Sequence, residues 1–155
     1  MQDSEAGLKV QMLGGFNVTY KDKAVSFGRN NMAKSIQLFQ IMMINMDKGI
    51  GKSTLVEALY GRDEVENGNS SLNNTIFRLR RQLETAGLPE DPYIEIKSGL
   101  CTWSKNIPVW VDVHEFGKLV EKAEGTPDPY EKTSFYIQAC GLYRGEFLPI
   151  MIGEE

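Results

Sequence analysis

Residues 67–87 carry hydrogen-bonding side chains at helical spacing, and their chemistry suits the recognition of base edges. At 3.6 residues per turn, one side of a helix here collects amide, hydroxyl and guanidinium groups around one aromatic ring. This side holds Ser70, Asn74, Phe77, Arg78, Arg81 and Thr85, with Asn73, Arg80 and Gln82 on its flanks. The candidates for DNA contact among them are Ser70, Asn73, Asn74, Phe77, Arg78 and Arg81. Amides and guanidiniums pair bidentately with adenine and guanine in the major groove, which admits a single helix. The pattern indicates either a DNA-reading helix or an ordinary solvated helix face.

The opposite side of the same stretch must hold this helix in place. An aliphatic residue recurs there after four, three and four residues, at Leu72, Ile76, Leu79 and Leu83. This spacing produces one narrow apolar stripe, which we expect to face a core. The sequence therefore predicts a helix from Ser70 to Thr85, packed on its leucines and exposed on its polar side.

The elements around this helix predict an α+β fold, a winged helix-turn-helix with an N-terminal antiparallel sheet and a C-terminal wing hairpin. Alternating apolar and polar residues predict three short strands first, at Leu8–Leu13, Phe16–Tyr20 and Ala24–Phe27. A strongly apolar helix around Ile36–Met43 and a short helix from about Gly51 follow. Behind the candidate helix, Tyr93–Lys97 and Leu100–Ser104 predict a hairpin, which is a wing at this position.

The expected phosphate contacts come from lysine and arginine outside the candidate helix. Lys97 lies near the tip of the predicted wing, where a cation can reach the backbone of a duplex. Other cations that we consider for the same role are Arg29, Lys34, Lys48 and Lys52.

The string GKST at Gly51–Thr54 resembles the end of a nucleotide-binding loop. In such a loop Lys52 would reach the phosphates and Ser53 would hold magnesium. The full motif needs a glycine five positions before Gly51, where the chain has Met46, and a strand directly upstream, where a long apolar helix is predicted. We therefore interpret this string as a helix start and expect no nucleotide cofactor.

The charge is unevenly distributed, although the net value of −4 argues against a chain coated in basic residues. Residues 1–105 contain 13 basic and 12 acidic side chains, whereas residues 106–155 contain 4 and 9. The acidity therefore lies mainly in the C-terminal third, and the distribution matters more than the total for a DNA footprint.

Other classes of function find little support in the sequence. Cys101 and Cys140 stand apart without a CxxC pattern or a histidine cluster, so we expect neither a disulfide nor a zinc site. His114 has no nucleophile placed beside it by any motif, and we expect no enzymatic activity. No run approaches the ~20 apolar residues of a membrane span, and the N-terminus lacks the order of a signal peptide, so we expect a cytoplasmic protein without membrane contact.

The C-terminal third predicts a separate helical segment. Residues 106–112 form an extended linker in which Trp110 is expected to dock on the preceding fold, and helices follow at 113–120 and 130–143. Because a helical pair cannot bury both of its faces alone, we expect this segment to begin a longer helical domain. The predicted domains are therefore 1–105, a winged-helix DNA-binding domain, and 106–155, a linker and the first helices of a second domain.

Three strings in this order resemble a known family. LGGF at Leu13, TIFRLRRQL from Thr75 and LYRGEFLP from Leu142 are similar to the regulators called Streptomyces antibiotic regulatory proteins. The resemblance runs from about Leu8 to Pro149. It implies a bacterial transcriptional activator, in which an OmpR/PhoB-type winged helix precedes a helical bacterial transcriptional activator domain.

The resemblance also implies roles for individual residues. Asn74, Phe77, Arg78 and Arg81 fall on the major-groove side of the family's recognition helix. Phe77 stands where a small polar residue is more usual, which suggests contact with a thymine methyl or a sugar. The family's wing commonly has arginine and a Gly-Tyr pair near its turn, whereas here Lys97 is the cation at the tip.

The leading hypothesis is a sequence-specific regulator of transcription that binds double-stranded DNA, with residues 70–85 in the major groove and residues 93–104 near the backbone or minor groove. We expect paired copies on direct repeats, and RNA polymerase or another protein domain as a partner of the C-terminal helices. The alternative is a winged-helix module for protein–protein interaction that does not bind DNA. The near-neutral charge up to residue 105 and the depleted wing motivate it.

Overall fold

The computed structural model describes residues 7–27, 33–61 and 68–143, with the backbone alone for residues 68–70. The strands are β1 (Leu8–Gln11), β2 (Asn17–Tyr20), β3 (Lys23–Ala24), β4 (Ile50–Gly51), β5 (Ile94–Lys97), β6 (Leu100–Trp103) and β7 (Val109–Val111). The helices are α1 (Lys34–Ile44), α2 (Lys52–Tyr60), α3 (Gly68–Thr85), α4 (Asp112–Gly125) and α5 (Pro129–Leu142). These elements form two compact units, Val25–Pro108 and the combination of Met1–Ala24 with Val109–Glu155.

The unit of residues 25–108 is built around α1. Seven of the eleven residues of α1 are buried, and the helix contacts α2, α3 and β6. The ring of Phe39 in α1 lies 5.6 Å from that of Phe27 and 5.7 Å from that of Trp103, so aromatic packing joins α1 to the small sheet. A helix that is apolar around most of its circumference has to be buried in this way, and the predicted central helix is confirmed.

The small sheet of this unit has the strand order β4-β6-β5, with both pairings antiparallel. Its hairpin turns at Ser98 and Gly99, whose φ angles of 53° and 77° are both positive, as in the type I′ turns that favour two-residue hairpins. The predicted wing hairpin is therefore confirmed. The two-residue strand β4 was not predicted, because its sequence gives no strand pattern and only pairing with β6 makes it one.

The other unit combines a four-stranded sheet with two helices. Its strand order is β3-β2-β1-β7, in which β1 and β7 run parallel and the other neighbours run antiparallel. The carboxylate of Asp112, buried at the start of α4, accepts the backbone N–H groups of Met12 (2.8 Å) and Leu13 (3.0 Å). Residues about 100 positions apart in sequence are thereby joined, and α4 packs closely against α5.

The α+β winged-helix fold predicted from the sequence is confirmed, with local corrections. The third strand is Lys23–Ala24 and not Ala24–Phe27, because Val25 and Phe27 leave the ladder and become buried in the unit of residues 25–108. Part of the expected linker is β7, a sheet strand that contains Trp110. The division into functional domains at residue 105 stays a prediction. Across the described ranges, no helix combines the length and apolar character needed to span a bilayer.

Candidate nucleic-acid interface

Helix α3 divides into a buried stripe and an exposed polar face, as its sequence predicts. Leu72, Leu79 and Leu83 are at most 1% exposed, and Ile76 is half-buried. The exposed face presents two amides, one ring and two guanidiniums, which belong to Asn73, Asn74, Phe77, Arg78 and Arg81. Ser70 belongs to the first turn of α3, where the side chains lie outside the described residues. The stripe anchors the helix and leaves its hydrogen-bonding face turned to solvent.

A cluster of hydroxyl groups fixes α3 against the end of α2. The Tyr60 and Thr75 hydroxyls are hydrogen-bonded to each other, and the Ser71 backbone carbonyl accepts from whichever of them does not donate in that bond. The Ser71 carbonyl oxygen lies 3.0 Å from the Tyr60 hydroxyl oxygen and 2.9 Å from the Thr75 hydroxyl oxygen. The Lys34 ammonium lies 5.8 Å from the centre of the Tyr60 ring and provides a cation–π contact from α1. The cluster was not predicted, because nothing in the local sequence pattern marks Tyr60 as a partner of Thr75.

The exposed ring of Phe77 organises two guanidiniums on the surface of α3. The Arg80 and Arg81 guanidinium carbons lie 5.7 and 5.8 Å from the ring centroid, within the range of cation–π interaction. Both arginines follow Phe77 at the i+3 and i+4 spacing that brings helix side chains together. Arg80 is half-buried and falls only on the flank of the predicted face, although this spacing could have identified it.

An open groove runs beside α3, and we call it the α3 groove. Its volume is about 620 Å³, and it is lined by Ser26, Phe27, Asn74, Phe77, Arg78, Arg81, Gln82 and Thr85. The Gln82 side-chain amide donates to the Phe27 carbonyl at 3.3 Å and ties residues 26–27 to the helix. Four predicted residues therefore come together in one depression, and Asn73 lies outside its lining.

Helix α3 carries three arginines beside or in the groove, of which Arg78 and Arg81 line it, and their charges are unpaired within the described part of the chain. Arg78, Arg80 and Arg81 lie within four residues of one another, and Glu84 is the single acidic residue of α3. Among the described residues, no carboxylate forms an ion pair with these three arginines, whereas Lys118 pairs with Glu115 at 3.3 Å. Unpaired guanidiniums keep their donors available for a ligand that carries carbonyl or phosphate oxygens.

Lys97 lies at the tip of the wing and does not line the α3 groove. It is exposed and pairs across the hairpin with Leu100, which in turn pairs with Gly51 of β4. The backbone N–H of Lys52, the first residue of α2, donates to the Gly99 carbonyl at 2.8 Å. The wing tip and the start of α2 are thus joined by the sheet and by this hydrogen bond.

The same contacts argue against a phosphate-binding loop at GKST. The structure has a strand, β4, directly before α2, but the Lys52 amide, one of those that would face a phosphate, is engaged by the Gly99 carbonyl. Of the other cations considered for phosphate contact, Lys34 and Lys48 are exposed, Lys52 is half-buried, and Arg29 lies outside the described residues.

Comparison with known proteins identifies a solved structure with a similar fold. No family model matches the chain, and no curated protein matches its sequence. A solved structure, "Mycobacterium tuberculosis EmbR in complex with low affinity phosphopeptide", is similar with a TM-score of 0.69 and 19% sequence identity. The match covers 95% of this chain and 38% of the EmbR chain, so the chain spans well under half of that protein. At this identity the likeness establishes a shared winged-helix fold.

Proposed function

We propose that this chain is a transcriptional regulator of the Streptomyces antibiotic regulatory protein kind, and that it binds double-stranded DNA of a specific sequence through α3. The observation that carries this proposal is the exposed face of α3, where amides and guanidiniums without acidic partners in the described chain border the α3 groove. The fold shared with EmbR supports the regulator class. In the matching structure, EmbR is in complex with a phosphopeptide.

In the proposed mechanism α3 enters the major groove with its leucine stripe turned inward. Asn74, Arg78 and Arg81 are placed to pair with base edges, because their amide and guanidinium groups offer donors in planar arrays. Lys97 at the wing tip and Lys52 beside it would contact phosphates, which position the protein without reading sequence. The cluster at Tyr60 fixes the helix that does the reading.

The proposal extends to the whole chain. Residues 1–105 act as the DNA-binding domain and residues 106–155 as the start of a helical activator domain, whose partner is RNA polymerase or another protein domain. With few cations in the footprint, one copy binds weakly, and two copies on direct repeats gain affinity through their linkage. The proposed compartment is the cytoplasm.

The test measures DNA affinity as a function of salt. A site is selected from random duplexes, and fluorescence anisotropy gives the Kd between ~50 and ~200 mM salt. We expect log K to fall linearly with log salt, with a slope of about −0.9 per phosphate contacted. The double variant Arg78→Ala/Arg81→Ala should lose at least ~10-fold in affinity, since one good bidentate base contact contributes about 1–3 kcal/mol.

The matched control is Lys122→Ala/Lys132→Ala, which removes the same charge from exposed positions on α4 and α5. This variant should bind as tightly as the wild type, within about twofold. The proposal fails if no duplex binds at ~50 mM salt, or if the two double variants bind DNA equally well.

A second candidate function is protein–protein interaction without DNA, and the observation that favours it is the Phe77 ring, which is 51% exposed. Exposed aromatic rings are enriched at protein interfaces, as are arginines. This candidate predicts that no duplex is selected from a random pool and that Phe77→Ala weakens binding to a protein partner.

A further inference from the structure

The Phe77 ring is the apolar group at the centre of an otherwise polar face. It is 51% exposed, whereas the leucines on the other side of α3 are at most 1% exposed. Covering a half-exposed ring with an apolar group of a ligand lowers the free energy, because apolar surface is removed from water. Its neighbours Asn74, Arg78 and Arg81 all require polar partners. The face therefore calls for a ligand that places an isolated apolar group among oxygen and nitrogen acceptors.

We propose that Phe77 reads the C5-methyl group of a thymine while Arg81, held over the same ring, pairs with a nearby guanine. This inference rests on the proposed DNA binding and names the base step that α3 recognises. The major groove presents one kind of apolar group, the thymine methyl, and guanine presents the O6 and N7 acceptors that arginine binds bidentately. A protein surface could cover the ring, but it would also have to satisfy the unpaired guanidiniums around it.

The geometry limits how far apart the two bases are. The Arg81 guanidinium carbon lies 5.8 Å from the Phe77 ring centroid, and consecutive bases along a strand are about 3.4 Å apart. The two side chains therefore span between one and two base steps. The guanine recognised by Arg81 lies within two base pairs of the thymine recognised by Phe77.

The cation–π contact also restrains Arg81 before DNA arrives. A guanidinium that rests over a ring keeps the N–H groups at its edge free, so it can stack and pair at the same time. Restraint of a long side chain in the unbound protein lowers the entropy lost on binding. Arg80 makes the other cation–π contact with the ring at 5.7 Å but is half-buried, so it serves as the control arginine for Arg81.

The experiment removes single methyl groups from the selected site. Each thymine is replaced in turn by deoxyuridine, which deletes the C5-methyl and preserves the Watson–Crick pair. We expect one position at which the wild type loses about fourfold in affinity, the value of one buried methyl-sized group. A duplex with 5-methylcytosine at that position should bind more tightly than one with cytosine by a similar factor. The 5-methylcytosine places the same methyl group in the major groove, but in a C·G pair.

Variants assign the effect to the residues. Phe77→Ala should bind the thymine and deoxyuridine duplexes equally, and Ile137→Ala, which removes an exposed apolar side chain from α5, should keep the fourfold difference. Arg81→Ala should lose the preference for guanine within two base pairs of that thymine, and Arg80→Ala should retain it. Circular dichroism verifies that the variants are folded.

The outcomes separate this inference from the function on which it rests. If no duplex binds, DNA recognition itself is wrong. If a specific site is bound and every deoxyuridine substitution is neutral, or if Phe77→Ala keeps the methyl dependence, DNA binding stands and the role of Phe77 is refuted. A methyl-sensitive thymine without a guanine in reach refutes the role of Arg81.

Discussion

Replacement of Asp112 should destabilise the protein far more than replacement of an ordinary helix-capping aspartate. Asp112 is 2% exposed, and its two carboxylate oxygens accept the N–H groups of Met12 at 2.8 Å and Leu13 at 3.0 Å. Hydrogen bonds to a charged group stabilise a protein by about 1.5–3 kcal/mol each. A buried N–H left without an acceptor destabilises it further, because the desolvation of that group is no longer compensated. Asp112→Ala should therefore lower the free energy of unfolding by about 3–5 kcal/mol.

A matched control is available in the same unit. Asp128 caps α5 and accepts one N–H, that of Tyr130 at 3.0 Å, from an exposed position. Loss of such a cap costs about 1 kcal/mol. Asp112→Asn keeps one acceptor oxygen but brings an amide group toward the second N–H, so it should fall between the two alanine variants.

The assay is urea denaturation followed by circular dichroism. With a slope of roughly 2 kcal/mol per molar urea, Asp112→Ala should shift the midpoint by about 2 M and Asp128→Ala by about 0.5 M. Equal shifts for the two variants would refute the reasoning, because they would mean that the buried carboxylate contributes no more than a surface cap.

Two further predictions concern the unit of residues 25–108. Gly49 and Gly99 share a φ of 77°, but a Cβ at Gly49 would lie 2.8 Å from the Cys101 carbonyl oxygen, whereas a Cβ at Gly99 meets nothing within 4 Å. In urea titrations Gly99→Ala should lower the free energy of unfolding by about 1–2 kcal/mol, and Gly49→Ala should lower it clearly more. Equal decreases for the two variants would contradict this prediction. Burial raises the pKa of the Cys101 thiol, opposed in part by Lys52. A thiol reagent at pH 8 should modify exposed Cys140 rapidly and Cys101 only after unfolding, and equal native rates would contradict this.

The parts of the fold that sequence reasoning predicts correctly are those set by local periodicity. The leucine stripe of α3 and the wing hairpin depend on spacings within a few residues, and both were predicted with their bounds nearly right. The side chains of Asn74, Phe77 and Arg81 are exposed for the same reason, since a buried stripe fixes the opposite face. Whether these side chains bind DNA stays a prediction.

The features that were missed depend on residues distant in sequence. Strand β4 has two residues and forms because β6 lies beside it. The local sequence of β7 indicates a linker, because its partner β1 lies about 100 residues earlier. The same separation hides the role of Asp112, which in sequence looks like any acidic residue at a helix start. Periodicity carries no information about such pairings.

Helix α2 connects the two elements that would face DNA, and its contacts explain how nine residues can set their geometry. Its first residue, Lys52, donates its N–H to the Gly99 carbonyl at the wing tip, and the hydroxyl of its last residue, Tyr60, is hydrogen-bonded to the cluster at Ser71 and Thr75 in α3. Nine residues of helix span about 13 Å, a distance that a hydrogen-bonded helix holds fixed. The wing and α3 are therefore each attached to one end of a rigid spacer. If α3 lies in the major groove, this spacer determines where along the DNA backbone Lys97 meets a phosphate. Because Lys97 is the cation at the wing tip, the phosphate contact of the wing depends on this position.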